Sequence, residues 1–116
     1  MTLTLLQKQQ VFARMVGALI LRAKYLGYDI TFGEAYRTPE QAALNAKKGI
    51  GISNSLHTQR LAIDLNVFKN GVWLKDGGFD DLGTYWKSLD PSNRWGGDFQ
   101  HLKDYNHFSY TNGGVS

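Results

Sequence analysis

The sequence predicts an α+β fold: a small, mostly antiparallel sheet packed with three helices. Three observations predict it. Two segments carry apolar residues at helical spacing, a third opens on a helix-start signal, and four others alternate or are rich in strand formers. Asn70-Gly71 lies between alternating segments, the strongest short hairpin signal. The resulting order is helix, strand, helix, hairpin, helix, strand, with no internal repeat and no linker.

In the first helix Phe12, Met15, Val16, Leu19, Ile20 and Ala23 recur at i, i+3, i+4, i+7, i+8 and i+11, an amphipathic stripe for the core. Arg14, Arg22 and Lys24 fall off that stripe, and Gly27 is a natural stop. Residues 28–32 then read as a strand. Thr38-Pro39-Glu40-Gln41 is a helix start: Thr38 as N-cap, Pro39 at the first position, Gln41 at the reciprocal capping position. That second helix runs to about residue 48 and gives way to a polar loop over 49–56. A strand over 60–68 follows, joined through Asn70-Gly71 to 72–74. Its alternation sends Leu61, Ile63, Leu65 and Val67 to the core face and Arg60, Ala62, Asp64 and Asn66 to the other. The third helix, over 80–89, carries Leu82, Tyr85, Trp86 and Leu89 and ends at Asp90-Pro91. An irregular segment over 94–99 leads to a last strand over 106–110, in which Tyr105, His107 and Ser109 share one face. The tail over 111–114 is expected to fray.

Composition narrows the function. The 116 residues are expected to form one domain, with 42% apolar and 13% aromatic residues marking it as globular. Thirteen Lys+Arg against ten Asp+Glu leave a net charge of +3, scattered without a basic run, which argues against a nucleic-acid surface. A modest attraction to an anionic polymer such as a bacterial wall is compatible with that charge. Cysteine is absent, which excludes disulfides and thiolate chemistry. The apolar stretch over 3–20 is interrupted by Gln7, Lys8, Gln9, Gln10 and Arg14 and lacks a small-residue cleavage site. It reads neither as a signal peptide nor as a membrane span, so synthesis in the cytoplasm without membrane insertion is expected.

The chemistry gathers around Ser53-Asn54-Ser55-Leu56-His57 running into Arg60-Leu61-Ala62-Ile63-Asp64-Leu65. A carboxylate inside an apolar strand must be paired or bound to a cation, because burying it bare is costly. Asp64 therefore meets a salt bridge with Arg60, a loop hydrogen bond or a metal ion. His57 lies seven positions earlier, and His107 supplies a second imidazole from Asp104-Tyr105-Asn106-His107-Phe108. His57, Asp64 and His107 make a three-ligand set suited to a catalytic zinc with an open fourth position. Calcium or magnesium would call for more oxygen ligands, whereas iron in an oxygenase accepts the same set. Asp104 is the candidate general base, or else an exposed loop acid. Arg37, between a strand and a helix, is placed to hold a substrate carboxylate or an oxyanion, or else lies on the surface. Ser55 either hydrogen-bonds substrate or caps the loop. His101 reads as exposed and spare.

Ser55-x-His57-x-x-x-x-Ala62-x-Asp64 followed by Asp104-x-x-His107 resembles the VanY-like zinc peptidases, the D-Ala-D-Ala carboxypeptidase and L-alanyl-D-glutamate endopeptidase family. Arg60 stands where the family's usual pattern has glycine. The run Arg60-Leu61-Ala62-x-Asp64-Leu65-Asn66 resembles the phage endolysin branch instead. The segments over 32–41, 82–86 and 94–99 resemble further landmarks of the family; Trp95 and Asp98 either line its cleft or flank a structural Gly96-Gly97 turn. The resemblance implies a hedgehog/DD-peptidase-like zinc peptidase fold. It implies zinc on His57, Asp64 and His107, Asp104 as catalytic acid/base, and Arg37 against substrate or oxyanion. The implied activity is hydrolysis of an amide in the peptide stem of bacterial peptidoglycan, at L-Ala-D-Glu in a phage or prophage endolysin. A terminal D-Ala carboxypeptidase and a non-catalytic wall-binding module are the alternatives, and a monomer is the expected state.

Overall fold

The computed structural model describes residues 2–49 and 55–114, so the predicted polar loop lies outside the described residues over 50–54. Helix α1 (Leu5–Tyr25) begins with a reciprocal cap: the Gln7 N–H donates to Thr4 Oγ1 at 3.1 Å and the Thr4 N–H to Gln7 Oε1 at 2.9 Å. Its buried residues are Phe12, Met15, Val16, Leu19 and Ala23, the stripe read from the spacing. It ends in a Schellman motif, with Gly27 at φ +89°, Tyr28 N–H on Ala23 O (2.9 Å) and Gly27 N–H on Lys24 O (3.1 Å).

Strand β1 (Asp29–Phe32) leads to helix α2 (Pro39–Lys47), where the Gln41 N–H donates to Thr38 Oγ1 at 3.1 Å. The predicted reciprocal bond is not made there; the Gln41 side chain turns along the helix to Asn45 Oδ1 at 2.7 Å. After a 3₁₀ turn (Leu56–Gln59) come strands β2 (Ala62–Lys69) and β3 (Val72–Trp73), then helix α3 (Asp80–Leu89). Strands β4 (Asn93–Trp95) and β5 (His107–Tyr110) complete the order. The β2–β3 hairpin turns on Asn70 (φ +51°) and Gly71 (φ +79°), both left-handed as a type I′ turn requires.

The strands lie in the order β1-β2-β5-β4, with β3 also paired to β2, and all these pairings are antiparallel. Leu65 and Val67 of β2 are buried in the core. That core is centred on Trp86 of α3, which meets Phe12 of α1 edge-on at 5.7 Å and Phe108 of β5 at 5.9 Å. Truncating such a fully buried ring costs about 3–5 kcal/mol. Its indole N–H is not stranded, because it donates to Arg94 O at 3.0 Å.

Four expectations are corrected. Strand β2 begins at Ala62, because Arg60 closes the preceding turn in the left-handed region (φ +57°). The segment over 94–99 is not wholly irregular: Asn93–Trp95 pairs with β5, and a 3₁₀ turn (Gly96–Asp98) follows. Tyr105 precedes the last strand instead of joining it. The tail is tied down at Asn112, whose Oδ1 accepts from Lys8 Nζ (2.6 Å) while its Nδ2 donates to Gln59 Oε1 (2.6 Å).

Candidate metal centre

Strands β2 and β5 pair so that Asp64 and His107 are direct partners. Side chains of directly opposed residues leave the same face with Cβ atoms about 5 Å apart. The register therefore brings together two residues far apart in the chain. His57 arrives from the 3₁₀ turn, which Ser55 caps by accepting the His57 N–H at 3.2 Å. Leu61 N–H on Leu56 O (3.0 Å) closes that turn and feeds the chain into β2. A second segment is stitched alongside: Gly33 N–H donates to Asp64 O (2.8 Å), Asp64 N–H to Glu34 O (2.9 Å) and Arg37 N–H to His57 O (3.1 Å).

The side chains converge on one oxygen. Asp64 Oδ1 lies 3.4 Å from His57 Nε2 and 3.7 Å from His107 Nδ1, and one ligand atom from each residue falls within 4.8 Å of the other two. These separations are long for a hydrogen bond. They suit the edges of a tetrahedron around an ion with bonds of roughly 2.0–2.1 Å, whose edge is about 3.3 Å. Asp64 Oδ1, the oxygen that both imidazoles face, is buried with no hydrogen-bond partner among the described residues. Buried polar atoms left unpaired in this way are costly unless something else satisfies them. The three residues thus fit a metal ion. Burial opposes the Asp64 charge, but the facing donors and charges of His107 and His57 outweigh it and hold the carboxyl at about 2.

Asp104 stands at the rim, half exposed, with Oδ2 4.0 Å from His107 Nδ1. Partial burial pushes its carboxyl up, His107 opposes this and the Asp64 charge adds to it. The backbone holds it there: Asp104 N–H donates to Gly96 O (2.9 Å) and His107 N–H to Asp104 O (3.0 Å).

Arg37 does not reach the three candidate ligands directly. Its Nε donates to Glu34 Oε1 at 2.9 Å and its Nη2 contacts the same oxygen. That oxygen lies 3.7 Å from His57 Nδ1, so Glu34 sits between the arginine and the first imidazole. Glu34 was not singled out from the sequence. The available signal was an acidic and a basic residue three apart in a segment that is not helical. Arg60 is not the partner of Asp64; its guanidinium lies 3.9 Å over the Tyr36 ring. His101 is exposed. Trp95 and Asp98 frame a structural turn: Trp95 is buried with its N–H on Tyr105 O (2.7 Å), and Asp98 pairs with Lys87 (2.8 Å).

Residues 49–110, more than half of the chain, match a family model described as D-alanyl-D-alanine carboxypeptidase. The match contains His57, Asp64, Asp104 and His107, whereas Glu34 and Arg37 precede it. The fold resembles the crystal structure of the Serratia marcescens L-Ala D-Glu endopeptidase ChiX, with a TM-score of 0.69 over 86% of this chain and 77% of that one, at 20% identity. A search of curated proteins finds no match.

Proposed function

The chain belongs to the D-alanyl-D-alanine carboxypeptidase family of VanY-like metallopeptidases acting on peptidoglycan, and from that premise we propose that it is a zinc-dependent L-alanyl-D-glutamate endopeptidase. The observation that carries the reading is the meeting of His57, Asp64 and His107 around one buried, unpaired carboxylate oxygen, with a second carboxylate at the rim. His57 Nε2, Asp64 Oδ1 and His107 Nδ1 are the proposed zinc ligands. When bound there, the ion would polarise the scissile carbonyl and bring the pKa of a water towards roughly 7.

The remaining steps fall to the chain itself. Asp104 takes the proton of the attacking water and delivers it to the departing amine, a task suited to a carboxyl pushed upward. Arg37 has five N–H donors in a planar fork, of which Glu34 engages those on Nε and Nη2. Those left over are assigned to the substrate carboxylate or the developing oxyanion. Ser55, buried beside His57, caps the turn and is assigned a substrate contact as well.

The choice of bond has two supports pulling apart. The family description names a carboxypeptidase, while the similar fold is titled an endopeptidase. Mass spectrometry of digested peptidoglycan separates them: a new amino-terminal D-Glu marks the endopeptidase, and free D-Ala marks the carboxypeptidase. Absence of both products refutes the enzymatic reading. Loss of activity with a chelator, restored by zinc and not by iron, tests the metal. The role of a phage or prophage endolysin is proposed from the Arg60-Leu61-Ala62-x-Asp64-Leu65-Asn66 run. Among the described residues no helix is long and apolar enough to cross a membrane. Lysis from inside a cell only when a membrane pore is co-expressed would support that role, and lysis without one would refute it.

A further inference from the structure

The face of the sheet that carries Asp64 continues beyond the metal centre. Every second residue of β2 shares that face, which puts Asn66 and Phe68 on it. The register sets Thr31 opposite Asn66 and places Asp29 and Trp73 on either side of Phe68. Asn66 Nδ2 donates to Thr31 Oγ1 at 3.2 Å. Phe68 and Trp73 stack, with ring centroids 6.3 Å apart and planes 24° from parallel. Trp73 is 51% exposed. Phe68 lies four residue steps along the strand from Asp64, a span of about 13 Å.

A cross-strand aromatic pair steadies a hairpin, which accounts for the stacking. It does not account for a shelf open to solvent and flanked by the exposed Asp29 and Thr31, on the same face as the candidate ligands. We propose that the Phe68–Trp73 shelf binds a sugar ring of the glycan strand from which the peptide stem hangs. The inference rests on the peptidoglycan reading above. An aromatic face is electron-rich, and a pyranose presents a face of weakly positive C–H groups, so the two stack. The neighbouring carboxylate and hydroxyl meet the ring's hydroxyl groups. The reach is consistent. In an L-Ala-D-Glu substrate, one alanine and a lactyl group separate the scissile bond from the first sugar, roughly 7 Å of extended chain. A shelf about 13 Å away along the strand then meets that sugar or the next.

The test uses the full chain, its Trp73→Leu variant, which keeps apolar bulk without a ring, and Trp73→Tyr, which keeps the ring. The tetrasaccharide of N-acetylglucosamine is titrated against each and followed by amide NMR. Shifts confined to the β2–β3 hairpin, lost in Trp73→Leu and retained in Trp73→Tyr, support the shelf. In the same pattern KM for polymeric peptidoglycan rises about 3- to 10-fold in Trp73→Leu, while cleavage of a free stem peptide is unchanged. No shift in the wild type overturns the proposal, as does an equal loss on polymer and free peptide. Trp73-dependent self-association in sedimentation without saccharide binding also overturns it. If neither substrate is cleaved by the wild type, the peptidase reading fails, and the saccharide titration still decides the shelf.

Discussion

Replacing Gly96 by alanine tests how the rim of the candidate centre is held. A Cβ built on Gly96 would lie 1.9 Å from the Asp104 carbonyl oxygen, 2.8 Å from its carbon and 2.9 Å from His107 Cβ. Reaching an ordinary contact requires the backbone beneath Asp104 and His107 to retreat by about 1.5 Å. No flexible side-chain end is available to yield, since the obstacle is main chain. Retreat also strains the Asp104 N–H to Gly96 O bond of 2.9 Å. Overpacking of this kind costs about 1–3 kcal/mol, and a lost hydrogen bond adds roughly 1 kcal/mol. For a chain of this size the melting temperature should fall by about 5–15 °C. Movement of His107 should weaken zinc binding, and a displacement near 1 Å costs roughly 100-fold in rate. Thermal unfolding by circular dichroism without metal, followed by zinc competition titration, measures both effects. Gly17→Ala is the control: it is exposed on α1 with nothing within 4 Å of the added carbon, and should stabilise by about 1 kcal/mol. A Gly96→Ala protein that melts with the wild type and binds zinc as tightly would refute the steric reasoning.

Three further outcomes are expected. Asp104→Asn should cut hydrolysis about 100- to 10,000-fold while leaving zinc affinity within a few-fold of wild type, and wall lysis at the wild-type rate would remove Asp104 from the proton path. Glu34→Ala leaves Arg37 without its carboxylate and His57 Nδ1 without its nearest acidic neighbour, so zinc affinity should drop about 10- to 100-fold in a chelator competition, whatever happens to turnover. The Tyr28 hydroxyl is pushed up to about 12 by burial and by its 2.8 Å bond to Asp81, so its stabilising contribution is complete below pH 10 and declines as pH rises from 10 towards 12. Urea unfolding at pH 8 and pH 11 should show a loss roughly 1 kcal/mol larger in the wild type than in Tyr28→Phe, and parallel losses would exclude this linkage.

Elements with local causes were the legible ones. Helix α3 begins and ends where the Leu82, Trp86 and Leu89 spacing and the Asp90-Pro91 stop predict, because both signals lie within the segment. Gly27 and Asn70-Gly71 likewise carry their backbone requirement in their own residue type, since glycine and asparagine accept positive φ. Asp64 could be read as a candidate ligand from one strand, since alternation alone puts it off the core face. Strand β4 escaped because its three residues are held by pairing to β5, a partner chosen by tertiary contact. Thr4 and Thr38 both offer a cap followed by glutamine three residues on, and the sequence does not distinguish which glutamine will turn back. Glu34 was missed for a similar reason. Its importance comes from the bonds that lay residues 33–37 against Asp64 and His57, and no spacing rule contains them.

The pairing of Asp64 with His107 makes the ladder between two strands act like meshed gear teeth. Moving one strand along by a single tooth would turn His107 to the opposite side of the sheet and leave Asp64 facing an asparagine or a phenylalanine. An ion gripping both side chains would resist that motion as a pin does, and the rings of Phe108 and Trp86 would oppose it from beneath. A residue inserted between Ala62 and Asp64, inside the paired stretch, would therefore part Asp64 from His107 even with both residues retained.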